Sequence, residues 1–129
     1  MSGSANQLSE LQLAIIKEVW SRGEATVAEV HNALQRERGL AMTTIATVLS
    51  RLEKRGLVVH RSEKRQYIYR ALVSETEVRG EMVQDLTDRL FAGDVAQLVS
   101  HLLNDEHVSP GDLERVRALI EEANQQKGE

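Results

Sequence analysis

Leu40-Ala41-Met42-Thr43-Thr44-Ile45-Ala46-Thr47-Val48-Leu49-Ser50-Arg51-Leu52 separates into two faces when wound at about 3.6 residues per turn. Ile45, Val48, Leu49 and Leu52 form one apolar stripe, so the segment reads as a helix from about Thr43 to Arg55, stopped by Gly56. The other side carries Thr43, Thr44, Ala46, Thr47, Ser50, Arg51 and Lys54. That face is small and hydroxylic at its start and basic toward its end. Thr is a mediocre helix former, which makes the run an odd choice for plain scaffolding. It suits the major groove of DNA, where Thr and Ala can meet thymine methyls and Arg can read guanine or hold a phosphate. A solvated polar face is the plainer reading of the same pattern.

Working outward, residues 8–21 place Leu8, Leu11, Ile15, Ile16, Val19 and Trp20 on one helical stripe that ends at Ser21-Arg22-Gly23. Thr26-Val27-Ala28-Glu29 has the pattern of a capping box, in which the Thr hydroxyl and the Glu carboxylate satisfy each other's free amides. The short helix it opens buries Val27, Val30 and Leu34, runs to about Glu37 and stops at Gly39. Beyond the third helix the period changes. Residues 57–62 and 66–72 are β-branched or aromatic runs around Glu63-Lys64-Arg65, the pattern of a hairpin. Three helices followed by a hairpin outline a winged helix-turn-helix. The weaker alternative is an unrelated α+β domain. Arg61, Lys64 and Arg65 lie on or beside the wing, where they could reach phosphate.

The C-terminal part, residues 74–129, reads as helical. Ser74-Glu75-Thr76-Glu77 is a second capping box, opening a helix with Val78, Met82, Leu86 and Leu90 on one stripe. A further stripe carries Leu98 and Leu102. Ser109-Pro110-Gly111-Asp112 opens a last helix with Val116 and Ile120. So small a helical unit seldom supports itself, so these stripes could pack back on the N-terminal half or against a second chain; the acidic bias makes this a poor DNA surface, and dimerisation is the better use of it. The expected fold is mainly α with a small β-hairpin wing: a winged-helix DNA-binding domain over 1–73 and a helical dimerisation domain over 74–129.

Charge separates the halves in the same way. Net charge is −4, yet residues 1–75 carry 11 Lys/Arg against 8 Asp/Glu, and residues 76–129 carry 5 against 12. An anionic partner therefore belongs to the first part. There is no cysteine, hence no disulfide framework or thiolate metal site. His31, His60, His101 and His107 lack ligand spacing, so no metal or cofactor is expected. Gly-rich phosphate loops, Gly-x-Ser-x-Gly and His-Glu-x-x-His are absent, and the chain is not expected to be an enzyme. Met1-Ser2-Gly3-Ser4-Ala5 lacks an apolar signal region, and no apolar run nears the roughly 20 residues of a membrane helix. A cytoplasmic protein without membrane insertion is expected.

Residues 45–58, Ile-Ala-Thr-Val-Leu-Ser-Arg-Leu-Glu-Lys-Arg-Gly-Leu-Val, resemble the recognition helix of the penicillinase-repressor (BlaI/MecI/CopY) family. Residues 8–20 resemble that family's first helix, Tyr67-Ile68-Tyr69 its wing strand, and residues 90–99 a stretch of its dimerisation region. The resemblance covers about residues 8–123 and implies a homodimeric repressor on palindromic operators with half-sites of the TACA/TGTA type. In members that respond to β-lactams, a membrane sensor triggers proteolysis at an Asn-Phe pair. The aligned pair here is His101-Leu102, a departure from that pattern. Copper-responsive members carry a cysteine cluster that this chain lacks. Two other readings are a winged-helix protein-interaction adaptor and a MarR-like regulator that senses a small molecule.

Overall fold

A computed structural model describes residues 8–128; the stretch Met1–Ala5, read above for a targeting signal, lies outside them. The elements are α1 (Glu10–Arg22), β1 (Glu24–Thr26), α2 (Val27–Arg38), α3 (Met42–Lys54), β2 (Val58–Glu63), β3 (Gln66–Ala71), α4 (Glu75–Phe91), α5 (Val95–Leu103) and α6 (Pro110–Lys127). The chain divides into two compact units that part between Asp85 and Leu86. The boundary expected between residues 73 and 74 falls at the start of α4, and the units part further along that helix.

In the first unit, local signals start and stop the helices. Ser9 and Gln12 form a capping box at α1, and Thr26 and Glu29 form the expected one at α2. Gly39 at φ +57° and Gly56 at φ +81° take left-handed conformations after α2 and α3, where a side chain would be strained. One element has no counterpart in the sequence reading: β1 pairs antiparallel with β3, setting Ala25 opposite Tyr69. The sheet order is β1-β3-β2. The wing turns on two residues, not three, because Glu63 stays in β2 and pairs with Gln66. Lys64 and Arg65 sit at φ +51° and +66°, the left-handed pair that matches the twist of the flanking strands.

The faces predicted to be apolar meet in one core. Ile15, Ile16 and Val19 of α1, Val30 of α2, and Ile45, Leu49 and Leu52 of α3 are fully buried. Val58 and Tyr69 of the hairpin close it from the other side. Each such side chain contributes roughly 1.5–3 kcal/mol by leaving water. The Trp20 indole donates to the Val73 carbonyl at 2.9 Å, tying the segment between β3 and α4 to α1. Val78 of α4 is buried in the same core and Met82 packs against it. The first turns of α4 therefore complete the winged helix.

The second unit comprises the end of α4 with α5 and α6. Asp94 caps α5 by accepting from the Gln97 amide, and α6 opens with the expected Ser109–Asp112 box and Pro110. Neither α5 nor α6 has a buried residue. Among the described residues no helix is long and apolar enough to cross a membrane.

Candidate nucleic-acid interface

The rotation of α3 follows from its core contacts. With Ile45, Val48, Leu49 and Leu52 buried, Thr43, Thr47, Ser50, Arg51 and Lys54 are exposed and Thr44 is half-buried. The start of α3 differs from those of α1, α2 and α6. Ala41 is its N-cap and offers no side-chain hydrogen bond, so no side chain engages the amides at that end. Free amides and the positive end of the helix dipole favour an anion there.

The wing stands beside this helix end. A hollow of about 540 Å³ opens between the first turn of α2 (Val27, Ala28) and that of α3 (Met42, Thr43, Ala46). Arg65 and Tyr67 line it from the hairpin. Thr43 and Arg65, both singled out from the sequence, thus share one concave surface, while Thr47, Ser50 and Arg51 lie outside its lining, exposed further along α3. Lys64 lines a different hollow with Glu24, Glu29 and Glu63. Arg61 is engaged by two carboxylates, Glu24 at 3.0 Å and Glu63 at 2.6 Å. The hydrogen bond from Arg61, backed by its charge, holds the Glu24 carboxyl below its usual range, and the same contacts raise the Arg61 guanidinium.

Tyr67 escaped the sequence reading, which took it as a wing-strand residue, and so did Met42. Both are exposed large apolar residues. The available signal was the alternation of Tyr67 with Tyr69 on one face of β3, where only the inner ring can reach the core. The Tyr67 ring stacks on His60 with centroids 4.0 Å apart and planes at 23°. His60 Nδ1 lies 2.6 Å from Glu53 Oε1, which ties β2 to α3. Burial, with the nearby Glu53 charge second, pushes the Tyr69 phenol up.

The dimerisation residues expected from the sequence are distributed unevenly. Val78 is in the core of the first unit and Met82 packs on it. Leu86, Leu90, Leu102 and Ile120 are exposed, with Leu98 and Val116 half-buried. His101 is exposed beside Leu102 in α5, its ring 6.0 Å from that of Phe91. Among the described residues no group of three His, Asp or Glu side chains is placed to hold a metal ion.

The sequence model of the penicillinase repressor family matches residues 8–122. The chain belongs to the penicillinase repressor family. Among its relatives, the transcriptional regulator BlaI of Mycobacterium tuberculosis is 34% identical over 118 residues, covering 90% of this chain and 84% of that one. The penicillinase repressor of Bacillus licheniformis is 24% identical over 123 residues, covering 95% and 96%. The solution structure of the DNA-binding domain of the repressor BlaI superposes with a TM-score of 0.51 at 29% identity, over 56% of this chain and 88% of that domain. The penicillinase repressor match thus runs through α3, the wing and the exposed helices of the second unit, and the fold of the first unit is a winged helix.

Proposed function

We propose that this chain acts as its family does, as a DNA-binding transcriptional repressor, and that it works as a homodimer on a palindromic operator. The observation that carries the reading is the convergence of the outward face of α3 and the wing on one concave surface, in a chain of this family. Thr43, Thr44 and Thr47 meet base edges in the major groove, while Arg51 and Lys54 hold phosphates further along the helix. Arg65 at the wing tip adds a phosphate contact. Arg61 and Lys64, beside carboxylates, contribute less. Dimerisation is supported by the exposed aliphatic side chains of the second unit, Leu90 (71% exposed) and Leu119 (63% exposed) foremost. Two recognition helices in such a dimer read inverted half-sites about 34 Å apart, one turn of DNA. A sensor-driven cut at His101-Leu102 would fall inside α5, which has to open before a protease can hold that pair extended.

The test is a set of titrations on a palindrome selected from random duplexes and on scrambled DNA, at equal salt. Thr47→Ala should weaken binding to the palindrome by about 1–3 kcal/mol and leave scrambled DNA nearly unchanged. Arg65→Ala should weaken both alike and flatten the salt dependence by about one unit of slope. Equal losses on both duplexes for Thr47→Ala would contradict base reading by α3.

A further inference from the structure

The hollow at the start of α3 is more apolar than phosphate binding or hydrogen bonding to bases requires. Its lining includes Val27 and Ala28 from α2, Met42 and Ala46 from α3, and the Tyr67 ring from the wing. Met42 and Tyr67 stand about half exposed, at 47% and 52%. Thr43 and Arg65 supply polar groups within the same hollow. The major groove of a duplex offers hydrogen-bonding edges on every base pair, but its distinctive apolar group is the 5-methyl of thymine.

Tyr67 is also held firmly for an exposed ring. It stacks on His60, and His60 is bonded to Glu53, a residue of α3 itself. On the inner side Tyr69, buried in the core, stands edge-on to Tyr67 with centroids 6.4 Å apart. The ring is thereby fixed to the helix that enters the groove as well as to the wing.

We propose that this hollow receives thymine 5-methyl groups of the operator, with Met42 and Tyr67 as specificity-determining residues and His60 and Glu53 as the residues that position Tyr67. The proposal rests on the DNA-binding reading above and deepens it, because it assigns the start of α3 to apolar recognition.

The experiment uses the full chain and the selected palindrome, with each thymine replaced in turn by deoxyuridine, which removes only the methyl group. At one or two positions per half-site the replacement should weaken binding about fourfold, the factor one buried methyl is worth. Met42→Ala or Tyr67→Ala should erase that penalty at those positions, and Tyr67→Phe should keep it. His60→Ala should reduce the penalty at the Tyr67 position and nowhere else, which a general loss of stability would not do. Arg79→Ala, on α4 and outside the hollow, should leave every penalty in place. Indifference to deoxyuridine at all positions would overturn the proposal while leaving operator binding intact. So would a penalty that survives both Met42→Ala and Tyr67→Ala. A chain that prefers no duplex over scrambled DNA would overturn the repressor reading itself, and the thymine proposal with it.

Discussion

The two units of this chain have equally well-specified helices and very different interiors. All fourteen buried hydrophobic side chains among the described residues lie before Asp85. After it only Thr87 is buried among the described residues, although eight of the twelve exposed large hydrophobics, from Leu86 to Ile120, lie there. The caps do not account for this, since Ser109–Asp112 at α6 is as complete a box as Thr26–Glu29 at α2. Capping and periodicity decide that a helix forms; a core requires surfaces to bury against one another. The first unit finds those surfaces within its own chain because a sheet lies beside its three helices. The second unit offers apolar stripes and, among its described residues, no sheet, and the homodimer proposed above would give those stripes a surface to bury against.

That contrast has consequences of graded size. The largest effect should come from making the exposed stripe charged. Leu102→Asp combined with Leu119→Asp should convert the dimer to a monomer by sedimentation. Operator affinity should fall on the order of 10²–10⁴-fold, the benefit of linking two binding events. Far-ultraviolet circular dichroism of the first unit's elements should persist. A double variant that still sediments as a dimer would move the interface away from α5 and α6.

Next in size is a cavity in the first unit. Leu49→Ala removes a fully buried side chain and should cost about 2–5 kcal/mol in denaturant unfolding. That loss should not depend on protein concentration. A concentration-dependent loss would mean that the first unit, too, is stabilised mainly through association.

The smallest effect concerns the α6 cap. The Ser109 amide, then the Ser109 hydroxyl side, holds the Asp112 carboxyl below the usual aspartate range. A lowered carboxylate pKa contributes stability that is present above the unfolded value and lost as pH falls through the folded one. Asp112→Ala should therefore cost a little helicity near neutrality and remove the loss of α6 expected of the parent chain as pH falls through and below the usual aspartate range. An unchanged acid profile would detach Asp112 from the stability of that helix.

The sequence disclosed what is local. The stripe of Ile45, Val48, Leu49 and Leu52, the boxes at Thr26, Ser74 and Ser109, and the stops at Gly39 and Gly56 are all set by residues within a turn or two of each other. What it withheld depends on distant partners. Glu24–Thr26 is too short to show alternation and becomes a strand only because β3 passes beside it. Only one of the two carboxylates on Arg61, Glu63, lies near it in sequence; the other, Glu24, is far away along the chain. The Lys64-Arg65 turn lacks the Asn or Gly that usually signals a two-residue hairpin, so its length could not be read. Tyr67 became a candidate only when the wing was seen to share a hollow with Met42 and Ala46.

Two copies of this chain, joined through the second unit, are expected to present two recognition helices to one operator. This is tested most directly by analytical ultracentrifugation of the full chain with the selected palindrome and with the same duplex carrying one scrambled half-site. Two chains should bind the palindrome in a single step, and scrambling one half-site should weaken binding by about 10²-fold or more. One chain per half-site, with equal affinity on both duplexes, would contradict it.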